Sequence, residues 1–141
     1  MAGGPFLFKL VLNTHVSFYR WSGGKLGGRL GPYDILLLTT TGRKSLQKRT
    51  IPLAYFMDGE NYVITASYGG GPQHPGWYFN LKADPQAQIQ VGKKKFDVKA
   101  VQADPQQKKR LWARLIRMTP RYAGYQKRTS RDIPMMVLYK L

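Results

Sequence analysis

Cysteine is absent from this chain of 141 residues, which removes disulfides, thiolate metal sites and cysteine nucleophiles together. Histidine occurs twice, as His15 and His74, and Asp plus Glu number only 7, so a side-chain metal centre or a paired-carboxylate reaction has little to draw on. Long hydrophobic runs are missing too. Residues 6–12 are strongly apolar, but Lys9 interrupts them and Asn13 and His15 follow, leaving a stretch too short to span a bilayer. The same opening lacks the basic start and small-residue cleavage site of a secretory signal. Any chemistry is therefore expected to use a borrowed group.

Positive charge is abundant. The 23 Lys and Arg give a formal net charge of +16, and after Asp104 only Asp132 is acidic. A chain so charged attracts polyanions: nucleic acid, an anionic membrane face or a heavily charged small molecule. Nucleic acid is the default partner on charge alone, yet neither a helix-turn-helix pattern nor a glycine–aromatic RNA signature is present. Hydrophobic residues at 43% and aromatics at 13% indicate one folded domain rather than disorder.

The chain divides into an amphipathic helix over 1–21, a glycine-rich link over 22–32 and a main domain over 33–141. In the helix, Leu7, Leu10, Val11, Thr14, Phe18 and Trp21 fall near one face. That face either packs on the domain or lies in a membrane interface, where basic and aromatic flanks would suit it. A strand is expected over 33–41, followed by a strand pair, 49–57 and 61–67, joined by the hairpin signal Asp58-Gly59. Pro75 opens a short helix ending at Ala83. Ala87, Ile89 and Val91 alternate with glutamines, and Phe96, Val98 and Ala100 alternate within the partner strand over 95–102. Asp104-Pro105 reads as an N-cap with proline at the first helical position. The helix it opens carries the stripe Leu111, Trp112, Leu115 and Ile116 and stops at Pro120; a strand over 133–139 closes the chain. Antiparallel hairpins with helices over one end predict an α+β fold built on a closed or split β-barrel.

The first strand leads into Gly42 and then residues 43–49, Arg-Lys-Ser-Leu-Gln-Lys-Arg, four cations in seven residues. Backbone N–H groups and Ser45 can donate at short range there while Arg43, Lys44, Lys48 and Arg49 supply charge, a turn suited to an anion.

Taken in order, Leu37-Leu38-Thr39-Thr40-Thr41-Gly42-Arg43-Lys44-Ser45, Pro52-Leu53, Asp58-Gly59, Ala66-Ser67-Tyr68-Gly69-Gly70, His74-Pro75-Gly76-Trp77-Tyr78-Phe79-Asn80-Leu81, Ala83-Asp84-Pro85, Tyr122-Ala123-Gly124-Tyr125-Gln126 and Arg131-Asp132-Ile133-Pro134 form a spaced set. The set resembles the deazaflavin-dependent nitroreductase family, the actinobacterial split-barrel reductases that include F-420H2-dependent quinone reductases. The resemblance runs from about Tyr33 to Leu138. It implies coenzyme F-420, a hydroxy-deazaflavin with a phosphodiester and polyglutamate tail, as the source of the hydride chemistry that side chains lack.

By that resemblance, Arg43, Lys44, Ser45 and Arg49 would hold tail and phosphate. Thr50, Ile51, Pro52, Leu53 and Ala54 would run beside the ring and its linker. Thr65, Ala66, Ser67 and Tyr68 would form the ring's floor, and Gly76, Trp77, Tyr78, Phe79 and Asn80 would cover the phosphate end. Tyr122 and Tyr125 would cap the open face, with Ser67 or Tyr122 or water as proton source at the reacting centre. The implied reaction passes a hydride from reduced coenzyme to a small-molecule acceptor: a quinone, a nitroaromatic or an unsaturated lactone. The resemblance implies neither a metal nor a nucleic-acid partner, and a place in the cytoplasm or peripherally on the inner membrane face.

Four departures from the family pattern carry expectations. Leu46 stands in place of a glycine, which implies a turn without left-handed backbone. Tyr68 stands in place of a lysine, removing a cation. Ala54 and Thr119 stand in place of tyrosines on the acceptor side, which implies a wider pocket and poor activity on bicyclic nitroimidazoles. Two other functions fit parts of the same sequence: an FMN- or tetrapyrrole-related split-barrel protein, and a non-catalytic basic nucleic-acid-binding protein.

Overall fold

The computed structural model describes residues 4–30 and 33–141, with side chains from residue 12 onward. Among these residues seven strands and four α-helices follow in the order α1 (Gly4–Ser22), β1 (Arg29–Leu30), β2 (Tyr33–Thr41), β3 (Lys48–Asp58), β4 (Asn61–Thr65), α2 (Gly76–Ala83), β5 (Gln86–Val91), β6 (Lys94–Gln102), α3 (Pro105–Met118), α4 (Arg121–Arg128) and β7 (Met135–Lys140), with a single 3-10 turn at Tyr68–Gly70 between β4 and α2. All strand pairings are antiparallel. The sheet runs β1-β2-β3-β4-β7-β6-β5, and a further β2–β5 pairing closes six of its strands into a barrel. The expected α+β barrel is thus present.

Period-two alternation sorts the side chains into two cores. Leu36, Leu38, Tyr62, Ile64, Ala66, Ile89, Val98 and Leu138 fill the barrel, and Trp77, Tyr78 and Leu81 of α2 plug one end of it. On the outside, Val63, Met135 and Val137 meet Leu111 and Leu115 of α3. Within the strand expected over 61–67, residues 62–66 alternate and both sides are covered, one by the barrel interior and one by helix. Asp104 caps α3 as expected, its Oδ1 accepting from the Gln107 N–H at 2.8 Å.

Three features differ from the sequence reading. Beyond Pro120 the chain starts a second helix, α4, where only a helix stop was expected. Proline at its N-cap terminates α3 and also suits the entry to α4. The described face of α1 is turned as well: Val16 and Tyr19 are buried against Ile35 and Leu37, while Phe18 and Trp21 are exposed at 51% and 79%. Tyr19 decides the rotation. Its hydroxyl lies 3.0 Å from the Ile35 carbonyl and 3.2 Å from that of Gln90, and it accepts from the Gly92 N–H at 2.8 Å. Leu7, Leu10 and Val11, assigned to the other face, lie outside the described side chains.

Residues 22–30, expected as a link, make specific contacts. Ser22 Oγ accepts from the Leu26 N–H at 2.8 Å, and the Gly28 carbonyl accepts from the Ile35 N–H at 2.9 Å. A Cβ on Gly24 would sit 2.7 Å from the Gly92 backbone, so close approach of two turns accounts for glycine there.

Candidate functional site

The strand β3 is the feature that sets this site apart. It lies between β2 and β4, yet none of its eleven residues is buried, whereas β4 and β7 are mostly buried. Its apolar residues stay partly accessible, although Ile51, Leu53, Tyr55 and Met57 pack on the barrel core and α1 packs over part of the outer face, where Ala54 joins Val16 and Tyr19. Its register with β2 pairs Thr40 with Arg49, Leu38 with Ile51 and Leu36 with Leu53, which sends Ile51 and Leu53 toward the barrel interior. Thr50, Pro52 and Ala54 therefore share the outward face. Of the expected run 50–54, only these three can offer side chains on that face. Thr50 is already engaged: its hydroxyl lies 2.7 Å from Thr39 Oγ1 and accepts from Arg20 of α1 at 3.0 Å.

At one end of β3 sits the cationic turn. Gly42, Arg43, Lys44, Ser45, Arg49 and Asn80 line a depression of about 210 Å³. Asn80, buried, accepts from the Arg43 backbone N–H at 3.2 Å and from its Nη1 at 3.0 Å, and donates to Thr40 Oγ1 at 3.1 Å. Arg43 also donates to the Gly76 carbonyl at 3.4 Å and stacks over Phe79. The turn and the N-terminal end of α2 are thus one unit. Among the described residues, the four cations of the turn have no carboxylate within ion-pair distance, so their charge is available to an anion.

The turn itself corrects an expectation. Leu46 has φ 60, squarely left-handed, with a leucine where glycine would be free of strain. The bonds Gly42 N–H to Gln47 carbonyl (2.8 Å), Leu46 N–H to Gly42 carbonyl (2.8 Å) and Gln47 N–H to Ser45 Oγ (3.2 Å) impose that geometry. The side chain, 76% exposed, meets no obstacle.

At the other end of β3 lies a cleft of about 350 Å³, whose lining includes Ala54, Met57, Thr65, Met118, Thr119 and Tyr122. Tyr122 stands edge-on to Tyr33 at 6.3 Å and to Tyr125 at 5.2 Å. Burial, with Tyr33 and Tyr125 beside it, pushes the Tyr122 phenol up to about 12, so it stays protonated and can donate a hydrogen bond throughout the neutral range. Ala54 and Thr119, the two small replacements, both line this cleft.

The remaining expected residues divide. Ala66 and Ser67 are buried at the end of β4, and Tyr68, 61% exposed, follows with φ 46. Gly76, Phe79 and Asn80 belong with the cationic turn. Trp77 and Tyr78 belong to the barrel plug: both are buried, and the Tyr78 hydroxyl donates to Gln102 Oε1 at 2.8 Å. The sequence assigns no role to Arg20, nor to Arg131, which enters it only as part of a motif. The latter donates to the carbonyls of Ala66, Ser67 and Gly71 and to His74, a role that nothing in a local motif discloses.

Arg49 and Ala54 are five residues apart, about 17 Å along an extended strand. The odd separation puts their side chains on opposite faces of β3, so what this length spans is the two ends of the strand, the cationic turn at one and the cleft at the other. A family model described as F420H(2)-dependent quinone reductase matches residues 11–140. The chain belongs to that family.

An F420H(2)-dependent quinone reductase of Mycobacterium tuberculosis is 47% identical over 132 residues, 91% of this chain and 89% of its own length. A second M. tuberculosis protein, a putative F420H(2)-dependent quinone reductase, is 36% identical over 107 residues, 76% of this chain and 90% of its own. Among solved structures, an F420-H2 dependent reductase (FDR-A) superposes with a TM-score of 0.67 at 40% identity, covering 74% of this chain and 92% of that one. This F420H(2)-dependent quinone reductase family member is accordingly an oxidoreductase, and its coenzyme is F-420. The residues present fit that group: cations with no carboxylate partner among the described residues for its acidic tail, a partly accessible apolar strand, and a cleft of adequate size for a flat head.

Proposed function

We propose that this protein reduces quinones, binding F-420 along β3 with its tail on the 43–49 turn and its head at the cleft beside Tyr122. The observation that carries the reading is the alignment of the carboxylate-free cations and the tyrosine-lined cleft at opposite ends of one half-exposed strand. Reduced F-420, when bound, supplies a hydride, and a quinone that takes this hydride and one proton becomes a hydroquinone.

The chain's own groups do the rest. Arg43, Lys44 and Arg49 neutralise the tail, and Ser45 Oγ, which accepts from Gln47, can still donate. Ala54, which lies between α1 and the cleft, gives the head an apolar edge on β3. Tyr122, held protonated, donates a hydrogen bond to the acceptor oxygen on which negative charge develops, and water passes the final proton. With a pKa near 12, Tyr122 serves better as a hydrogen-bond donor than as the acid that gives up its proton. Tyr125 orients Tyr122 through their edge contact. Ser67 is buried two residues beyond Thr65 of the cleft lining, and the reading takes this segment as the floor.

Ala54 and Thr119 leave room for a broad acceptor, so quinones are the favoured class, with nitroaromatics and unsaturated lactones as secondary acceptors. Lipid-soluble quinones suit a further part of the reading. Phe18, Trp21, Leu26 and Leu30 expose apolar surface beside Arg20, Lys25 and Arg29, an arrangement suited to an anionic membrane face. Among the described residues no helix is long and apolar enough to cross a membrane.

The test is oxidation of reduced F-420, followed by its absorbance, against a panel of quinones, nitroaromatics and lactones. Quinones are expected to give the highest kcat/KM. Turnover of nitro compounds with no quinone activity would overturn the acceptor assignment.

A further inference from the structure

Residues 66–71 run through an improbable backbone. Tyr68, Gly69 and Gly70 have φ 46, 63 and 78, three left-handed residues in succession, the first of them a bulky aromatic. Such a path costs on the order of 1 kcal/mol at Tyr68 alone and persists only where its surroundings over-determine it. The surroundings here converge on one side chain. The guanidinium of Arg131 donates through Nε to the Gly71 carbonyl (3.0 Å), through Nη1 to the Ala66 carbonyl (3.1 Å) and through Nη2 to the Ser67 carbonyl (2.8 Å). Nη1 also reaches His74 Nδ1 at 2.8 Å, which fixes that nitrogen as the acceptor and the ring as the Nε2–H tautomer.

Arg131 is itself fixed from α4. Gln126 Nε2 donates to the Arg131 carbonyl at 2.8 Å, and Gln126 Oε1 accepts from the Ile133 N–H at 3.1 Å. The same helix packs on the loop directly: a Cβ on Gly70 would lie 2.8 Å from the Tyr125 carbonyl oxygen and 3.1 Å from Arg128 Cβ. Helix α4 carries Tyr122 and Tyr125, and the loop carries Ser67 and Tyr68. One planar fork therefore joins the loop that follows Thr65 of the cleft lining to the segment after the helix that carries Tyr122 into the same cleft.

We propose that Arg131 is a positioning residue for the reaction, holding the 66–71 floor and the tyrosine helix α4 in the one relative geometry that accepts the coenzyme's head. The proposal rests on the coenzyme placement given above. A lysine, with donors radiating from one point, cannot reproduce four contacts spread over a plane.

The test uses Arg131→Gln and Arg131→Lys in the full chain, below the unfolding transition of each. Amide hydrogen exchange of the coenzyme-free proteins is read at Gly70 and Gly71, whose N–H groups bond to the Ser67 and Tyr68 carbonyls in the intact loop. Both variants are expected to speed that exchange at least tenfold while leaving β2 unchanged. Dissociation constants are then compared for F-420 and for a deazaflavin head group lacking the phosphodiester and tail. Both ligands are expected to weaken by the same factor, about tenfold or more, whereas Arg49→Ala weakens only the tailed molecule. Rapid exchange with unaltered head-group binding would reduce Arg131 to a fold-stabilising residue and overturn the proposal while leaving the coenzyme reading intact. Unaltered exchange would overturn the clamp itself, whatever the ligand data. If the wild-type protein bound neither ligand, the coenzyme reading would fail and the positioning role with it. Should the glutamine variant not fold, the lysine variant decides.

Discussion

Asn80 Oδ1 accepts from both the backbone N–H and the guanidinium of Arg43, at 3.2 and 3.0 Å, so one buried amide on α2 fixes the cationic turn beside the barrel plug. Its own Nδ2 donates to Thr40 at 3.1 Å, which ties the same amide to β2. Removing it leaves a buried hydroxyl and an N–H short of partners. Asn80→Ala is expected to lower stability by about 1–3 kcal/mol in urea unfolding and to weaken F-420 binding. A variant that unfolds like wild type would show that the amide does not hold the turn.

Leu46 gives a test of the turn that is independent of any ligand. A β-branched residue tolerates φ near 60 worse than leucine, so Leu46→Val is expected to destabilise by about 1 kcal/mol or more at a site 76% exposed. Leu46→Gly is expected to cost nothing, since relief of strain offsets the greater freedom of the unfolded chain. Denaturant midpoints of the two variants check this, and a neutral valine would mean the turn relaxes out of the left-handed region.

Ala54→Tyr fills the cleft from β3 and Thr119→Tyr fills it from beyond α3. Each is expected to reduce kcat/KM for a bulky quinone about tenfold while changing the KM for reduced F-420 little. Tyr122→Phe is expected to keep coenzyme binding and lower kcat. Steady-state kinetics with a small and a large quinone separates these effects; loss of coenzyme binding in Tyr122→Phe would misplace that residue.

Burial, and then the charge of Arg131, hold His74 below the ordinary histidine range. Its ring also faces Tyr78 and Phe79. A folded-state value below the unfolded one means the unfolded chain binds a proton more readily. The resulting stability is present above about pH 6.5 and is lost as pH falls through the folded value. His74→Gln is expected to flatten the fall in stability just below pH 6.5, read from urea midpoints across pH. Asp58, held low chiefly by its hydrogen bond to Arg110, acts in a separate and more acid window. Parallel profiles for wild type and His74→Gln would contradict the assignment.

Strand alternation, the Asp58-Gly59 hairpin and the Asp104 cap were legible because each is a local consequence of residue type. The rotation of α1 was not. Positions 12, 15, 16 and 19 make as good a stripe as positions 7, 10, 11, 14, 18 and 21, and Tyr19 wins through hydrogen bonds to residues far along the chain. The second helix was hidden because Pro120 both ends one helix and admits the next. Composition pointed to the 43–49 turn and to a polyanion, but not to Leu46's left-handed backbone, which turn hydrogen bonds impose against its preference. Trp77 and Tyr78 lie side by side with Gly76, Phe79 and Asn80 in one motif, but nothing local discloses that these two fill the barrel while the others face the turn. Arg131 shows the converse, since its partners lie 57–65 residues away.

The central claim is that cations of the 43–49 turn hold the acidic tail of F-420. The equilibrium dissociation constant for oxidised F-420, measured for wild type and Arg49→Ala at two salt concentrations, tests it most directly. Loss of one charge-assisted contact, about 1.5–3 kcal/mol, is expected to raise the constant roughly ten- to hundredfold and to reduce its salt dependence. An unchanged constant in Arg49→Ala would contradict the placement.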